Sequence, residues 1–194
     1  ASWMPSLSLL TTNFKPADCL FTTTNATSAA CALAAKMAAQ LMAEYPTLWP
    51  ETIRALIVHS AEWTPAMRQT FLSSAGQPTK AQMGNFVRHC GFGMPSLSRA
   101  LWSVANSLTM VCESTLHPFA REKGKDPKLR DMNLHRFPWP LEELQALGEA
   151  PVEMRVTLSY FIEPNPSARG VTSRYRYESH GLRFEVKRAL ESES

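Results

Sequence analysis

An alanine-rich segment between residues 27 and 44 constrains the fold of this chain more than any other part of its sequence. Eight of its residues are alanines: Ala29, Ala30, Ala32, Ala34, Ala35, Ala38, Ala39 and Ala43. Because alanine is the strongest helix former, the segment predicts a helix that begins at Thr27 or Ser28 and ends near Glu44. A helix with so little side-chain bulk suits close packing. We therefore expect it to be central and buried, with Cys31 as a small buried hydrophobe.

Short elements are predicted on both sides of this helix. Two extended segments, near Leu7–Thr11 and Cys19–Thr23, precede it and are joined by a loop. A second helix is predicted over residues 50–62, because Pro50 suits a first helical turn. One face of that helix is apolar at the spacing i, i+3, i+4, through Ile53, Leu56 and Ile57.

The middle of the chain is interpreted as helices separated by turns and loops. Residues 64–82 predict a helix with a loop around Gly76–Pro78. Gly91-Phe92-Gly93 predicts a tight turn that leads into a helix over Ser96–Ser107. Residues 118–131 collect five basic side chains together with Gly and Pro, which is typical of a solvated loop.

The hydrophobic pattern changes in the last third of the chain. Val152–Ile162 alternates apolar with more polar residues, which predicts a half-buried strand. Arg174–Tyr177 and Leu182–Lys187 predict two further strands. The chain is thus mostly helical first and mostly β last, and we expect two regions, residues 1–112 and residues 113–194.

Composition argues against several classes of protein. The chain has 194 residues and a net charge of only +3, so its charge gives no support for nucleic-acid binding. It contains no run of about 18 apolar residues that would span a membrane. The four cysteines include no C-x-x-C pair and have no histidine at zinc spacing, so neither a metal nor a cofactor is expected. Four cysteines are too few for a disulfide scaffold, and a reducing cytoplasm is the expected compartment.

A motif at the start of the alanine-rich helix is informative about function. Ala26-Thr27-Ser28 followed by Ala30 resembles the serine-nucleophile block of subtilisin-like proteases, whose usual form is Gly-Thr-Ser, any residue, Ala and Pro. Two more blocks follow in the family's order. Tyr45–Ala61 looks like the family's next helix, and Gly91-Phe92-Gly93 looks like its Gly-Tyr-Gly turn. Together the three blocks cover about residues 20–105.

The resemblance implies a fold, a reaction and a set of site residues. The fold is α/β, with this chain as the C-terminal portion of a parallel-sheet catalytic domain followed by a small antiparallel β-rich extension. Ser28 is implied to be the nucleophile and its backbone N–H to contact the oxyanion, with Thr27 and Ala26 contacting a peptide or protein substrate. The peptide bond is then hydrolysed through an acyl-enzyme on Ser28. A helix N-terminus suits this chemistry, because its unpaired N–H groups and positive dipole end stabilise an oxyanion.

The groups that would activate this serine are not in the expected part of the chain. In the resembled family Asp, His and the oxyanion-hole Asn all precede the serine. The residues before Ser28 include Asp18, which is interpreted as a loop residue, as well as Asn13 and Asn25, but no histidine. We therefore expect the missing groups upstream of Ala1, in an N-terminal remainder of the protease. The chain alone is expected to be inactive.

Two alternatives stay open on the sequence alone. Thr27 or Ser28 could serve as an ordinary helix N-cap, the commonest role of such residues. The family's usual Gly and Pro are replaced by Ala26 and Cys31, and a Cβ at position 26 crowds a backbone that approaches the substrate. These departures favour a catalytically inactive interaction or structural module that keeps the fold.

Overall fold

The chain forms two compact units in the computed structural model. The first comprises Ala1–Glu113 and Pro138–Ser159, and the second comprises Ser114–Phe137 and Tyr160–Ser194. The structure describes residues 8–72, 77–105, 108–120, 123–124, 128–130, 133–161 and 182–187.

Helices dominate the described part of the first unit. Its elements are β1 (Leu9–Thr12), β2 (Phe21–Thr24), α1 (Thr27–Glu44), α2 (Pro50–His59), α3 (Pro65–Phe71), α4 (Lys80–Cys90), α5 (Leu97–Ala105) and α6 (Leu141–Ala146). β1 and β2 form an antiparallel hairpin in which Leu9 lies opposite Thr24. In the second unit, β3 (Phe119–Ala120) and β4 (Lys128–Leu129) form another antiparallel pair. This mixture of helices and short strands is compatible with the predicted α/β class.

The core of the first unit lies where α1, α2 and α5 meet. Its buried members are Leu41 from α1, Ile53 and Leu56 from α2, and Ala100 from α5. Ile57 packs against this cluster, so the apolar face predicted for α2 is confirmed. The hydroxyl of Tyr45, directly after α1, donates a hydrogen bond to the carbonyl of Leu101, 2.8 Å away in α5. Burial of each large apolar side chain contributes roughly 1.5–3 kcal/mol, so these few residues fix how the three helices meet.

A smaller aromatic cluster joins α3 and α4. Phe86 of α4 is fully buried, with its ring centroid 4.8 Å from that of Trp63 and 6.1 Å from that of Phe71. The indole N–H of Trp63 donates to the carbonyl of Gly91 at 3.0 Å. The cluster therefore connects α4 to the turn that follows it.

The predicted Gly91-Phe92-Gly93 turn is confirmed, and both of its glycines have positive φ, 54° and 101°. Its second glycine lies against the backbone of Glu62. A Cβ added at Gly93 would stand 2.4 Å from the Glu62 carbonyl carbon. Next to it, Glu62 and Met94 exchange two backbone hydrogen bonds of 3.1 and 2.8 Å. Only glycine fits at position 93, because both the conformation and the space exclude a side chain.

The alanine-rich helix has the predicted limits but not the predicted burial. α1 runs from Thr27 to Glu44, yet within it only Leu41 is buried. Cys31 is exposed rather than buried, so that prediction was wrong. The residues of α1 that join the core are Met37, Ala38 and Leu41, all in its C-terminal half. Alanines on every face of a segment predict a helix, but they do not indicate which of its faces is buried or which elements pack against it.

Other helices and turns differ from the expectations in extent. α2 ends at His59 and is therefore shorter than predicted, whereas α5 (Leu97–Ala105) lies within the range predicted for it. α3 lies within the predicted 64–82 helix, whereas α4 and α6 were not predicted. The segment 118–131, expected to be a solvated loop, contains the short β3–β4 pair.

The strands predicted in the last third are not observed where that region is described. Residues 152–161 and 182–187 contain no strand, and Arg174–Tyr177 lies outside the described residues. A segment with alternating apolar and polar residues forms a strand only when the backbone of another segment hydrogen-bonds to it. Among the described residues, none pairs with the main chain of residues 151–159.

Candidate active site

Ser28 lies in the first turn of α1. The helix begins at Thr27, and only Asn25 and Ala26 separate it from the end of β2 at Thr24. The residues implied to act on substrate, Ala26, Thr27 and Ser28, are all exposed. Their place at the start of a helix, directly after a strand, leaves the serine side chain accessible.

The serine does not serve as the cap of its own helix. The N-cap is Ala26, which makes no side-chain hydrogen bond, so the interpretation of Thr27 or Ser28 as the N-cap is wrong. In the described part of the chain, the hydroxyl of Ser28 has no hydrogen-bond partner. An exposed hydroxyl without a local hydrogen bond is available for chemistry.

Backbone donors surround the same position. The N–H of Ala29 donates to the carbonyl of Ala26 at 2.9 Å, whereas those of Thr27 and Ser28 have no acceptor among the described residues. Free N–H groups at a helix N-terminus, together with the positive end of the helix dipole, favour a nearby negative charge. The first turn of α1 therefore suits an oxyanion that forms next to Ser28.

Ala26 occupies the position of the glycine in the resembled motif without backbone strain. Its φ of −75° and ψ of 164° are ordinary extended values, which any residue adopts. The backbone conformation at position 26 therefore does not require glycine.

The described residues bring no histidine to Ser28. Asp18 lies in the β1–β2 turn, as predicted, where its N–H donates to the Lys15 carbonyl at 3.1 Å. His59, at the end of α2, has its Nδ1 2.8 Å from the hydroxyl of Thr157. His89 stacks on the ring of Phe71, with centroids 4.9 Å apart.

Within the described ranges, no group of three or more His, Cys, Asp and Glu side chains could hold a metal ion. Cys19, Cys31, Cys90 and Cys112 are all free thiols.

Sequence reasoning missed a polar cluster around the C-terminal end of α2. Arg155 donates to backbone carbonyls there, and Arg99 donates to the carbonyl of Ser60 at 2.9 Å. A signal was present, because the polar positions of the alternating segment 152–162 include Arg155, Thr157 and Ser159. Those positions were interpreted only as the solvent face of a strand.

The part of the chain that contains Ser28 matches a known protein family. Residues 1–93 match the sequence model described as the subtilase family. This segment, just under half of the chain, is therefore similar to the subtilase family. The subtilase match includes α1, α2 and the Gly91–Gly93 turn, which carry the three blocks of the motif.

A curated relative extends beyond the subtilase segment. The chain is 28% identical over 187 residues to the uncharacterized protein y4bN of Sinorhizobium fredii (strain NBRC 101917 / NGR234). The alignment covers 96% of this chain and 37% of the relative, so the chain spans little more than a third of that protein's length. No solved structure matches the chain significantly. Among the described residues, no helix is long and apolar enough to cross a membrane.

Proposed function

We propose that this chain is the nucleophile-bearing part of a subtilase serine endopeptidase, with Ser28 as the attacking residue. The observation that carries the proposal is an exposed serine, free of a capping role, in the first turn of a helix within the subtilase segment. The missing Asp, His and oxyanion-hole Asn come from an N-terminal remainder of the protease. In the complete catalytic domain, α1 packs into a parallel-sheet fold of the subtilisin type, and residues 113–194 form an extension.

The proposed reaction uses Ser28 in two steps. Its Oγ attacks the carbonyl carbon of a peptide bond while the upstream histidine accepts the hydroxyl proton. The tetrahedral intermediate carries a negative oxygen, which the N–H of Ser28 and the upstream Asn stabilise. Collapse expels the amine, which takes the proton from the histidine, and leaves an acyl-enzyme that water then hydrolyses. Thr27 and Ala26 contact the substrate, and no cofactor takes part.

A second candidate is a subtilase-like module that binds peptide or protein partners without cleaving them. It is favoured by Ala26, whose methyl group occupies space that glycine leaves open to a substrate backbone. The ordinary φ and ψ of Ala26 weaken this candidate, because they show that the Cβ does not distort the helix start.

Covalent labelling separates the two candidates. The chain is expressed together with the coding sequence that precedes Ala1 and treated with a fluorophosphonate, which reacts only with an activated serine. A peptidase is labelled at Ser28, and Ser28→Ala abolishes the label. Ser98→Ala, a matched change at an exposed serine of α5, leaves labelling intact. A folded, extended chain that takes up no label is a binding module.

A further inference from the structure

A cleft of about 290 Å³ lies at the C-terminal end of α2. It is lined by His59 and Ser60 at the end of α2, by residues of α5, and by Glu153 and Arg155. The last two belong to residues 153–159, a segment that we call the strap. All of these residues belong to the first unit. The cleft is distinct from Ser28, and the inference drawn from it does not depend on the chemistry proposed for that residue.

Every second side chain from position 155 to position 159 of the strap makes a hydrogen bond to α2. Nη1 of Arg155 donates to the carbonyls of His59 at 2.8 Å and Ala61 at 3.2 Å. Oγ1 of Thr157 lies 2.8 Å from Nδ1 of His59. Nε of Arg54 donates to Oγ of Ser159, also at 2.8 Å. The three contacts are thus made by every second residue of the strap.

The strap supplies a hydrogen-bond donor to the C-terminal end of α2. The last carbonyls of a helix have no intrahelical donor, and positive charge is favoured beside them. Arg155 supplies both a donor and a charge to the carbonyl of His59, the last residue of α2.

Two arginines and two glutamates are the charged groups around the cleft that His59 lines, and the charge of Arg155 is the one that acts on His59. Arg155 contacts His59 directly, and Arg99 of α5 lines the same cleft. Among the carboxylates, Glu153 lies in the cleft wall but is highly exposed and 3.7 Å from Arg155. Glu62 forms an ion pair with Arg99. Burial, and then the charge of Arg155, lower the pKa of His59 below its ordinary value of 6.5.

We infer that the strap is a proton-controlled latch, which stays on α2 while His59 is neutral and is released when His59 takes up a proton. Protonation places a second positive charge beside Arg155 in a partly desolvated site, and release returns both charges to water. A group whose charged form is disfavoured in the attached state binds its proton more readily in the released state. Attachment is therefore strongest above pH 6.5 and weakens as the pH falls from 6.5 towards the pKa of His59 in the attached state.

Nuclear magnetic resonance on the 194-residue chain tests the latch directly. The sample is titrated from about pH 8 to about pH 5, a range that spans the ordinary histidine transition. We expect the His59 ring to titrate below pH 6.5. Over the same interval, the heteronuclear NOEs of residues 153–159 should be lost, whereas those of α5 persist.

Three variants isolate the cause. His59→Asn keeps a hydrogen-bonding atom near the position of Nδ1 but cannot be protonated, so the strap NOEs persist at low pH. Arg155→Gln keeps a donor but removes the charge, so His59 titrates closer to 6.5 and the loss of strap NOEs is smaller. His89→Asn, at an exposed histidine of α4, reproduces the wild-type transition. The inference is overturned if strap NOEs stay constant while His59 titrates, or if they fall equally in His59→Asn.

Discussion

The carboxylate of Glu113 lies 2.7 Å from the backbone nitrogen of Trp49, from which it accepts a hydrogen bond across a separation of 64 residues. Trp49 is the N-cap residue of α2 and has no side-chain cap of its own. The same oxygen also accepts a hydrogen bond from the hydroxyl of Thr52. A distant carboxylate thus accepts from the backbone N–H of the N-cap residue, as the Glu or Gln of a capping box does locally, at the positive end of the helix.

Replacement of this carboxylate should destabilise the first unit. Glu113→Ala removes a charged acceptor from two donors, and we expect a loss of about 1–3 kcal/mol in the free energy of unfolding. Urea unfolding monitored by circular dichroism measures the change. Glu149→Ala, at an exposed turn residue, should stay within about 0.5 kcal/mol of the wild type. Equal losses in both variants would mean that Glu113 does not cap α2.

Alanine substitutions at two glycines are expected to change the stability of the chain in opposite directions. Gly93→Ala forces a Cβ into the Glu62 backbone at a φ of 101°, so we expect a loss of about 3 kcal/mol or more. Gly84→Ala, inside α4 and with nothing within 4 Å of the added Cβ, should raise stability by about 0.5–1 kcal/mol. Thermal unfolding of the two variants separates them. Similar behaviour at both sites would contradict the close contact of Gly93.

The start of α1 should tolerate a better cap. Ala26 is among the poorest N-cap residues, whereas a serine there supplies an oxygen to the unpaired N–H groups of the first turn. We expect Ala26→Ser to raise the free energy of unfolding by about 1 kcal/mol. Ala30→Ser, within the same helix and exposed, serves as the control and should bring no gain. A loss of stability in Ala26→Ser would show that position 26 is not the cap.

The pKa of His59 also predicts a pH dependence of global stability. Because its pKa in the folded chain lies below the value of 6.5 expected on unfolding, the unfolded chain binds more protons in that interval. Stability should therefore be full above pH 6.5, and it should fall as the pH drops from 6.5 to the folded-state pKa. Urea midpoints measured from about pH 8 to about pH 5 record this loss. The wild type and His89→Asn should show the same loss of stability with falling pH, and His59→Asn should lack the part that His59 causes. An unchanged pH dependence in His59→Asn would show that His59 does not cause the loss.

Local signals were enough to predict much of the first unit. Alanine content gave the limits of α1, and the spacing of Ile53, Leu56 and Ile57 identified the buried face of α2. The two glycines of the Gly91–Gly93 turn marked positions where the backbone has a φ above zero. Each of these features depends on residues close together in the chain.

Contacts between distant parts of the chain could not be predicted in the same way. Nothing in the neighbourhood of Glu113 indicates that it caps a helix 64 residues earlier. Likewise, Arg155, Thr157 and Ser159 have the alternation of a strand, but they bind the end of α2. The candidate nucleophile was found from its motif, whereas the groups expected to activate it lie in no described part of the chain.

The uneven packing of α1 has a mechanical consequence. Leu41 fixes the helix in the core, whereas Ser28 lies about 20 Å away along the axis, at 1.5 Å per residue. A tilt of only about 3° at the core would move Ser28 by about 1 Å, and a misplacement of that size can reduce a reaction rate about 100-fold. For the proposed nucleophile, the aim of the hydroxyl therefore depends not only on the core but also on whatever packs against the N-terminal half of α1.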